Sequence, residues 1–343
     1  MKKILLSILK FSSAFILTII ALEVFFRFSE VFLPSMVYDD PRLGLLRKPN
    51  APYLSLNEGF GMGTVNEYGY LGPGYPKEKD GNKLRIALIG ASIVQGLEVF
   101  DCQHFRKLLE EKLSEVSGRK VEVLNFGRGG IDFRGAYTTQ KYIASEFHPD
   151  INLIFIGGNT FIAKDDKPGP EYQLQNDSLV TDYSFAESSQ FKLRTRYKFL
   201  RLTAIGNLLK RGYEFYQLST PGKLILGSLY KEPSVIHNNS VNVTEDPYIE
   251  IDSVIIKIYE KINKNGKNLN IFVKSEEYSE NYERIIRNSN IPVIDLAGEF
   301  ERCRKNGENI DYWKGSNTQG HWNLHGHEVT AEFLFKNLRS LGF

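Results

Sequence analysis

Five short apolar runs, at residues 85–89, 121–125, 151–156, 270–273 and 292–295, constrain the fold of this chain more than any other feature. They are rich in β-branched side chains and lack the strict polar alternation of a strand with one wet face. Such runs fit strands buried on both faces of a parallel sheet. Between them, and after the last, lie helical patterns at about 102–116, 134–146, 247–265, 279–287 and 324–341. Strands alternating with helices predict an α/β chain: a three-layer α/β/α sandwich around about five parallel strands.

In an open parallel sheet, ligands bind at the carboxyl ends of the strands, so the residues that follow each run carry the functional signal. The first run exits into Gly90-Ala91-Ser92-Ile93-Val94-Gln95-Gly96, where small residues permit a sharp strand-to-helix turn that presents the Ser92 hydroxyl. The second ends in Asn125-Phe126-Gly127-Arg128-Gly129-Gly130, a turn with amides to spare, and the third in Gly157-Gly158-Asn159-Thr160, which offers a side-chain amide. A serine nucleophile needs a base, a group to orient that base and donors for the oxyanion. Three of the six histidines fall at His321, His325 and His327, just before the final helical pattern. His321, on the loop side, fits a general base, whereas His325 and His327 fit capping or packing of the helix start. Their spacing straddles a loop and a helix start, so neither a metal nor another cofactor is implied. His104, His148 and His237 have no comparable context.

Taken in order, Gly90-Ala91-Ser92, Asn125 to Gly130, Gly157 to Thr160 and His321 with Gly326-His327 resemble the blocks of the SGNH, or GDSL-type, esterase and lipase superfamily. The resemblance covers about residues 84–343. The segment 66–72 also looks like the stretch preceding the serine block in membrane-anchored bacterial members. The resemblance implies a flavodoxin-like sandwich with Ser92 as nucleophile and His321 as base. It also implies an oxyanion hole made by the Ser92 and Gly130 amides with the Asn159 side chain.

Three positions depart from the family pattern. Ala91 and Thr160 stand where the family has aspartates in its first block and commonly in its third, and Thr318 stands where the aspartate that orients the histidine is expected. Threonine can accept a hydrogen bond from an imidazole but offers no charge to an imidazolium, and losing that charge costs triad hydrolases on the order of 10⁴ in turnover. Two other acids are candidates for the role. Asp311 could fold back through Gly315-Ser316-Asn317, and Asp295 closes the fifth run, where it also fits a helix cap.

The remaining chain sets the context. Residues 4–26 are apolar apart from Lys10, Glu23 and a few hydroxyls, and they follow Met1-Lys2-Lys3. About 20 apolar residues span a bilayer, and the bulky exit sequence lacks the small-residue cleavage site of a secretory signal. The expectation is a single transmembrane anchor over residues 1–27 with the lysines inside and the body outside the cytoplasm, and a cleaved signal is the rival reading. Residues 28–83, rich in proline and glycine, look like an extended lead-in without a core of its own. An insertion at about 163–245 interrupts the alternation, with a basic helical stretch at 192–217 that could overhang the site or face headgroups. A net charge of +2 gives no nucleic-acid footprint. Cys102 and Cys303 could bridge or stay free. The expected activity is hydrolysis of a carboxylic ester on a small molecule, lipid or envelope carbohydrate. Acyl transfer to a glycan hydroxyl and a degenerate domain that only binds glycan or a partner are the alternatives.

Overall fold

The computed structural model describes residues 2–29, 36–56, 58–161, 169–196, 198, 202–209, 253–264, 268–278, 280–287 and 290–343. The chain divides into two compact units, one formed by residues 1–38 and 189–242 and the other by residues 39–188 and 243–343.

The larger unit is the expected sandwich. Strands β1 (Leu84–Ile89), β2 (Val121–Asn125), β3 (Ile151–Ile156), β4 (Leu269–Lys274) and β5 (Val293–Asp295) form one sheet in the order β5-β4-β3-β1-β2. All four pairings are parallel. This is the flavodoxin-like order, whose strand direction places a crevice at the carboxyl ends of β1 and β3. Alternate side chains divide two cores. Ile86 and Leu88 pack with Leu109 and Leu334 on one face, while Ala87 and Ile89 pack with Phe133 and Ile258 on the other. The helices that cover these faces include Phe105–Ser117, Phe133–Tyr142, Ser253–Lys264 and Leu324–Ser340. A further helix, Leu296–Lys305, follows β5 and is capped by Asp295, whose Oδ1 accepts the Gly298 amide.

Part of the lead-in explains why no separate core is legible there: its apolar side chains are spent on the sandwich. Tyr70 packs edge-on against Phe126, and Tyr68 against Phe147. Arg128, buried after β2, donates to the carbonyls of Leu43 and Leu45, and Arg47 donates to the Gly127 carbonyl. A hairpin of Pro52–Ser55 and Gly61–Thr64 lies within this segment. Of the insertion, residues Glu171–Gln175 and Ser178–Asp182 form a hairpin in the larger unit, and Tyr172 hydrogen-bonds Thr138.

In the smaller unit, Lys2–Ser29 is one helix, long and apolar enough to cross a membrane. Helical segments at Ser189–Arg196 and 204–209 overlap the stretch expected at 192–217, of which residues 197, 199–201 and 210–217 lie outside the described residues. His237 lies outside them too. Cys102 is exposed, Cys303 is buried, and they are not bonded to each other.

Candidate active site

β1 ends at Ile89, and the chain turns through Gly90 and Ala91 into a short helix, Ser92–Gln95, closed by Gly96 in the left-handed region at φ 62°. Ser92 lies half-buried in a cleft of about 170 Å³ whose lining includes Ile131, Phe155, Thr160, Ser275 and Glu276.

The glycine turn after β2 is built against this helix. Asn125 Oδ1 accepts the Gly127 amide at 2.8 Å, and Asn125 Nδ2 donates to the Gln95 carbonyl at 3.3 Å. Gln95 returns the contact, its Oε1 accepting the Gly129 amide at 2.8 Å. Gly127 has to be glycine, because a Cβ there would lie 2.3 Å from the Gln95 nitrogen. Gly130 follows at φ 82°, a conformation that favours glycine. A Cβ on Gly129 would come within 3.9 Å of Ser92 Cβ, so the turn runs alongside the serine. Gln95 went unrecognised in the sequence, although a buried amide at a helix end beside a glycine turn is a signal for such a clamp.

The β3 exit forms a 3-10 turn, Gly158–Phe161, and Thr160 Oγ1 donates to the Gly157 carbonyl while accepting its amide. Thr160 therefore pins this loop without a carboxylate. The backbone of Asn159 belongs to the turn, and its side chain lies outside the described residues.

His321 is held from three sides. Its backbone amide donates to Glu58 Oε2 at 2.6 Å, its Nδ1 lies 3.0 Å from Glu58 Oε1, and its carbonyl accepts from Trp313 Nε1 at 2.9 Å. A carboxylate at Nδ1 requires the proton there, which leaves Nε2 as the basic nitrogen. The acid that meets the histidine is thus Glu58, from the lead-in, and neither of the two acids proposed from the sequence. Asp311 pairs with Arg304 at 2.8 Å, and Asp295 is occupied as a helix cap. Thr318 hydrogen-bonds Ser316 at 2.7 Å and sits in a two-residue hairpin with Trp313 opposite. Glu58 reaches the ring because the chain beside it is glycine: a Cβ on Gly59 would lie 2.3 Å from the Glu98 carbonyl.

Two further carboxyls surround His321. Glu98 Oε1 lies 3.6 Å from Nδ1. Burial pushes the Glu98 carboxyl upward, the His321 charge opposes that shift, and Glu58 adds to it. Glu276 lines the cleft beside Ser92, and burial raises its carboxyl too, again against the His321 charge. The His321 charge thus acts on both carboxyls, one of which lines the cleft that holds Ser92. Among the described residues, His321 makes no hydrogen bond to Ser92.

The other histidines separate by role. His325 Nε2 pairs with Glu308 at 2.8 Å on the surface side. His327 is buried against Phe105 and accepts its amide, and His104 caps the helix Phe105–Ser117 by accepting the Arg106 amide. Burial drives both imidazoles toward the neutral form, His104 down to about 3. His148 is exposed.

No protein-family model matches the sequence, and no curated protein matches it. Among solved structures, the chain is similar to a two-domain esterase active on acetylated mannans, at 13% identity and a TM-score of 0.39, over 75% of this chain and 49% of that one. It is also similar to a lipase/acylhydrolase from Enterococcus faecalis, at 13% identity and 0.37, over 75% and 96% of the two chains. An acetyl xylan esterase matches at 15% identity and 0.35, over 74% and 100%. The chain spans about half the length of the mannan esterase and nearly all of the other two. At these scores the likeness says nothing about chemistry, which has to come from the residues of this chain.

Proposed function

We propose that the chain is a serine-dependent hydrolase of carboxylic esters. The observation that carries the reading is the carboxylate of Glu58 on His321 Nδ1 at 3.0 Å, which supplies the one part of the machinery that Thr318 lacks.

In this reading Ser92 Oγ attacks the ester carbonyl carbon while its proton passes to His321 Nε2. Glu58 holds the ring in the reactive tautomer and stabilises the imidazolium that forms. The tetrahedral oxyanion is taken by the Ser92 and Gly130 amides with the Asn159 side chain, and Gln95 keeps the glycine turn in register for it. The imidazolium then protonates the departing alkoxide, leaving an acyl group on Ser92. Water, activated by the same nitrogen, releases the acid and regenerates the serine. An alcohol in place of water would give acyl transfer by the same steps.

The helix Lys2–Ser29 is read as a single membrane anchor, with Lys2, Lys3 and Lys10 on the cytoplasmic side and the catalytic unit outside. That location favours an acylated envelope carbohydrate or a lipid as substrate. The test is turnover of an activated short-chain ester and of acetylated glycans by the full chain in detergent, alongside Ser92→Ala. Ester cleavage that disappears with Ser92 supports the proposal, and cleavage unaffected by Ser92→Ala overturns it. Glycan binding without turnover in either form would instead favour a binding domain.

A further inference from the structure

Glu98 has a place in the structure that the reaction above does not use. It lies in the turn after the nucleophile helix, its side chain is 12% exposed, and its Oε2 is buried with no hydrogen-bond partner among the described residues. Its Oε1 stands 3.6 Å from His321 Nδ1, beyond hydrogen-bond reach in a neutral ring but within the range of a charge. A buried carboxylate with one oxygen unsatisfied is costly in the resting enzyme. The titratable groups in contact with His321 are Glu58 from the lead-in and Glu98 from the turn after the helix Ser92–Gln95; its charge also acts on Glu276 from beyond β4, as does Arg304, and on His327 from the last helix. Glu58 already accepts two hydrogen bonds from His321, so its contact exists before reaction. Glu98 is different: it gains a cationic partner only when His321 takes the serine proton.

We infer that Glu98 is a second positioning acid for His321, one whose ion pair forms as the imidazolium forms, so that its contribution falls on the transition state. This rests on the serine-hydrolase reading. Interactions stronger in the transition state than in the ground state raise kcat and leave substrate affinity alone. The proton involved moves from Ser92 Oγ to Nε2 and back to the leaving group; Glu98 exchanges none of it and acts through charge.

The experiment compares Glu98→Gln with the wild-type full chain. The expected result is a fall in kcat of about tenfold with KM unchanged, and an acid limb of the kcat/KM profile displaced by about one pH unit toward lower pH, since one nearby carboxylate shifts a titration by about that much or more. The same displacement is expected in the NMR titration of the His321 imidazole in a Ser92→Ala background, which needs no turnover. An unmoved His321 titration overturns the inference, whatever the activity. A moved titration in a protein without esterase activity would keep the electrostatic role and overturn the catalytic reading. The thermal midpoint of Glu98→Gln should not fall, because the change removes a buried charge with an unsatisfied oxygen; a fall accompanied by an unchanged pH profile would make Glu98 structural and refute the inference.

Discussion

Replacing Glu58 by glutamine changes one atom pair and reverses the logic of the histidine. In the wild type, one carboxylate accepts the fixed amide of His321 at 2.6 Å and faces Nδ1 at 3.0 Å. The backbone amide can only donate, so the glutamine oxygen has to take the Oε2 position, 3.1 Å from Nδ1, and the NH2 group takes the Oε1 position, 3.0 Å from Nδ1. The NH2 group stabilises the tautomer with Nδ1 as acceptor and the proton on Nε2, where it blocks uptake of the serine proton, and the carboxylate charge that steadies an imidazolium is gone. In a triad protease the corresponding change costs about 10⁴ in kcat. With Glu98 still supplying charge at 3.6 Å, the expected loss here is about 10³-fold, roughly 4 kcal/mol of barrier. The assay is steady-state cleavage of an activated acetyl ester by Glu58→Gln and wild type, with Ser92→Ala as background. Folding is checked by an unchanged near-ultraviolet circular dichroism spectrum. Activity within tenfold of wild type in a folded Glu58→Gln protein would refute the assignment of Glu58 as the orienting acid.

Other consequences follow from the same geometry. Thr318→Val, Asp311→Asn and Asp295→Asn should each keep kcat/KM within about threefold, because none of these side chains meets His321 in the structure; a loss of 10² or more in any of them by the same ester assay would return that residue to the site. Gly127→Ala forces a Cβ to 2.3 Å from the Gln95 nitrogen and should destabilise the fold by about 2–3 kcal/mol, read as a lower urea midpoint. His327 is held neutral by burial, whereas the unfolded chain takes up a proton near pH 6.5, so its contribution to stability is full above that pH and is lost as pH falls. Between pH 6.5 and 5 the unfolding free energy of wild type should therefore fall more steeply than that of His327→Gln, by about 1.4 kcal/mol per pH unit; equal slopes would mean that His327 charges in the folded protein.

The parts of the fold that were legible in the sequence share one physical property. Residues 151–156 lie buried on both faces of the sheet, and a strand in that setting has to be continuously apolar, so composition alone marks it. The strand ends were legible for a related reason. Turns such as the one from Asn125 to Gly130 admit few residues where backbone packs on backbone, as Gly127 does on Gln95. Glu58 was hidden because it reaches its partner across 263 residues of sequence and belongs to no element of the alternation. Its one signal was indirect: Glu58 is followed by Gly59 and Gly61, and both glycines are required where this strand passes the carbonyls of Leu97 and Glu98. A carboxylate inside such a tightly packed glycine run is held where a looser loop would let it swing free. The histidine cluster was legible only as a loop position at His321 and a helix start at His325 and His327, because the final amphipathic pattern begins between them. Its one buried member, His327, still depended on Phe105, which only the tertiary fold brings to it.

The most direct measurement for the central claim is covalent labelling of the folded full chain with a fluorophosphonate, followed by peptide mass spectrometry. A single adduct on Ser92 is expected, absent in Ser92→Ala and slowed in both His321→Ala and Glu58→Gln. An unlabelled Ser92 under conditions where a control esterase reacts to completion, or an adduct on another residue that persists in Ser92→Ala, would contradict it.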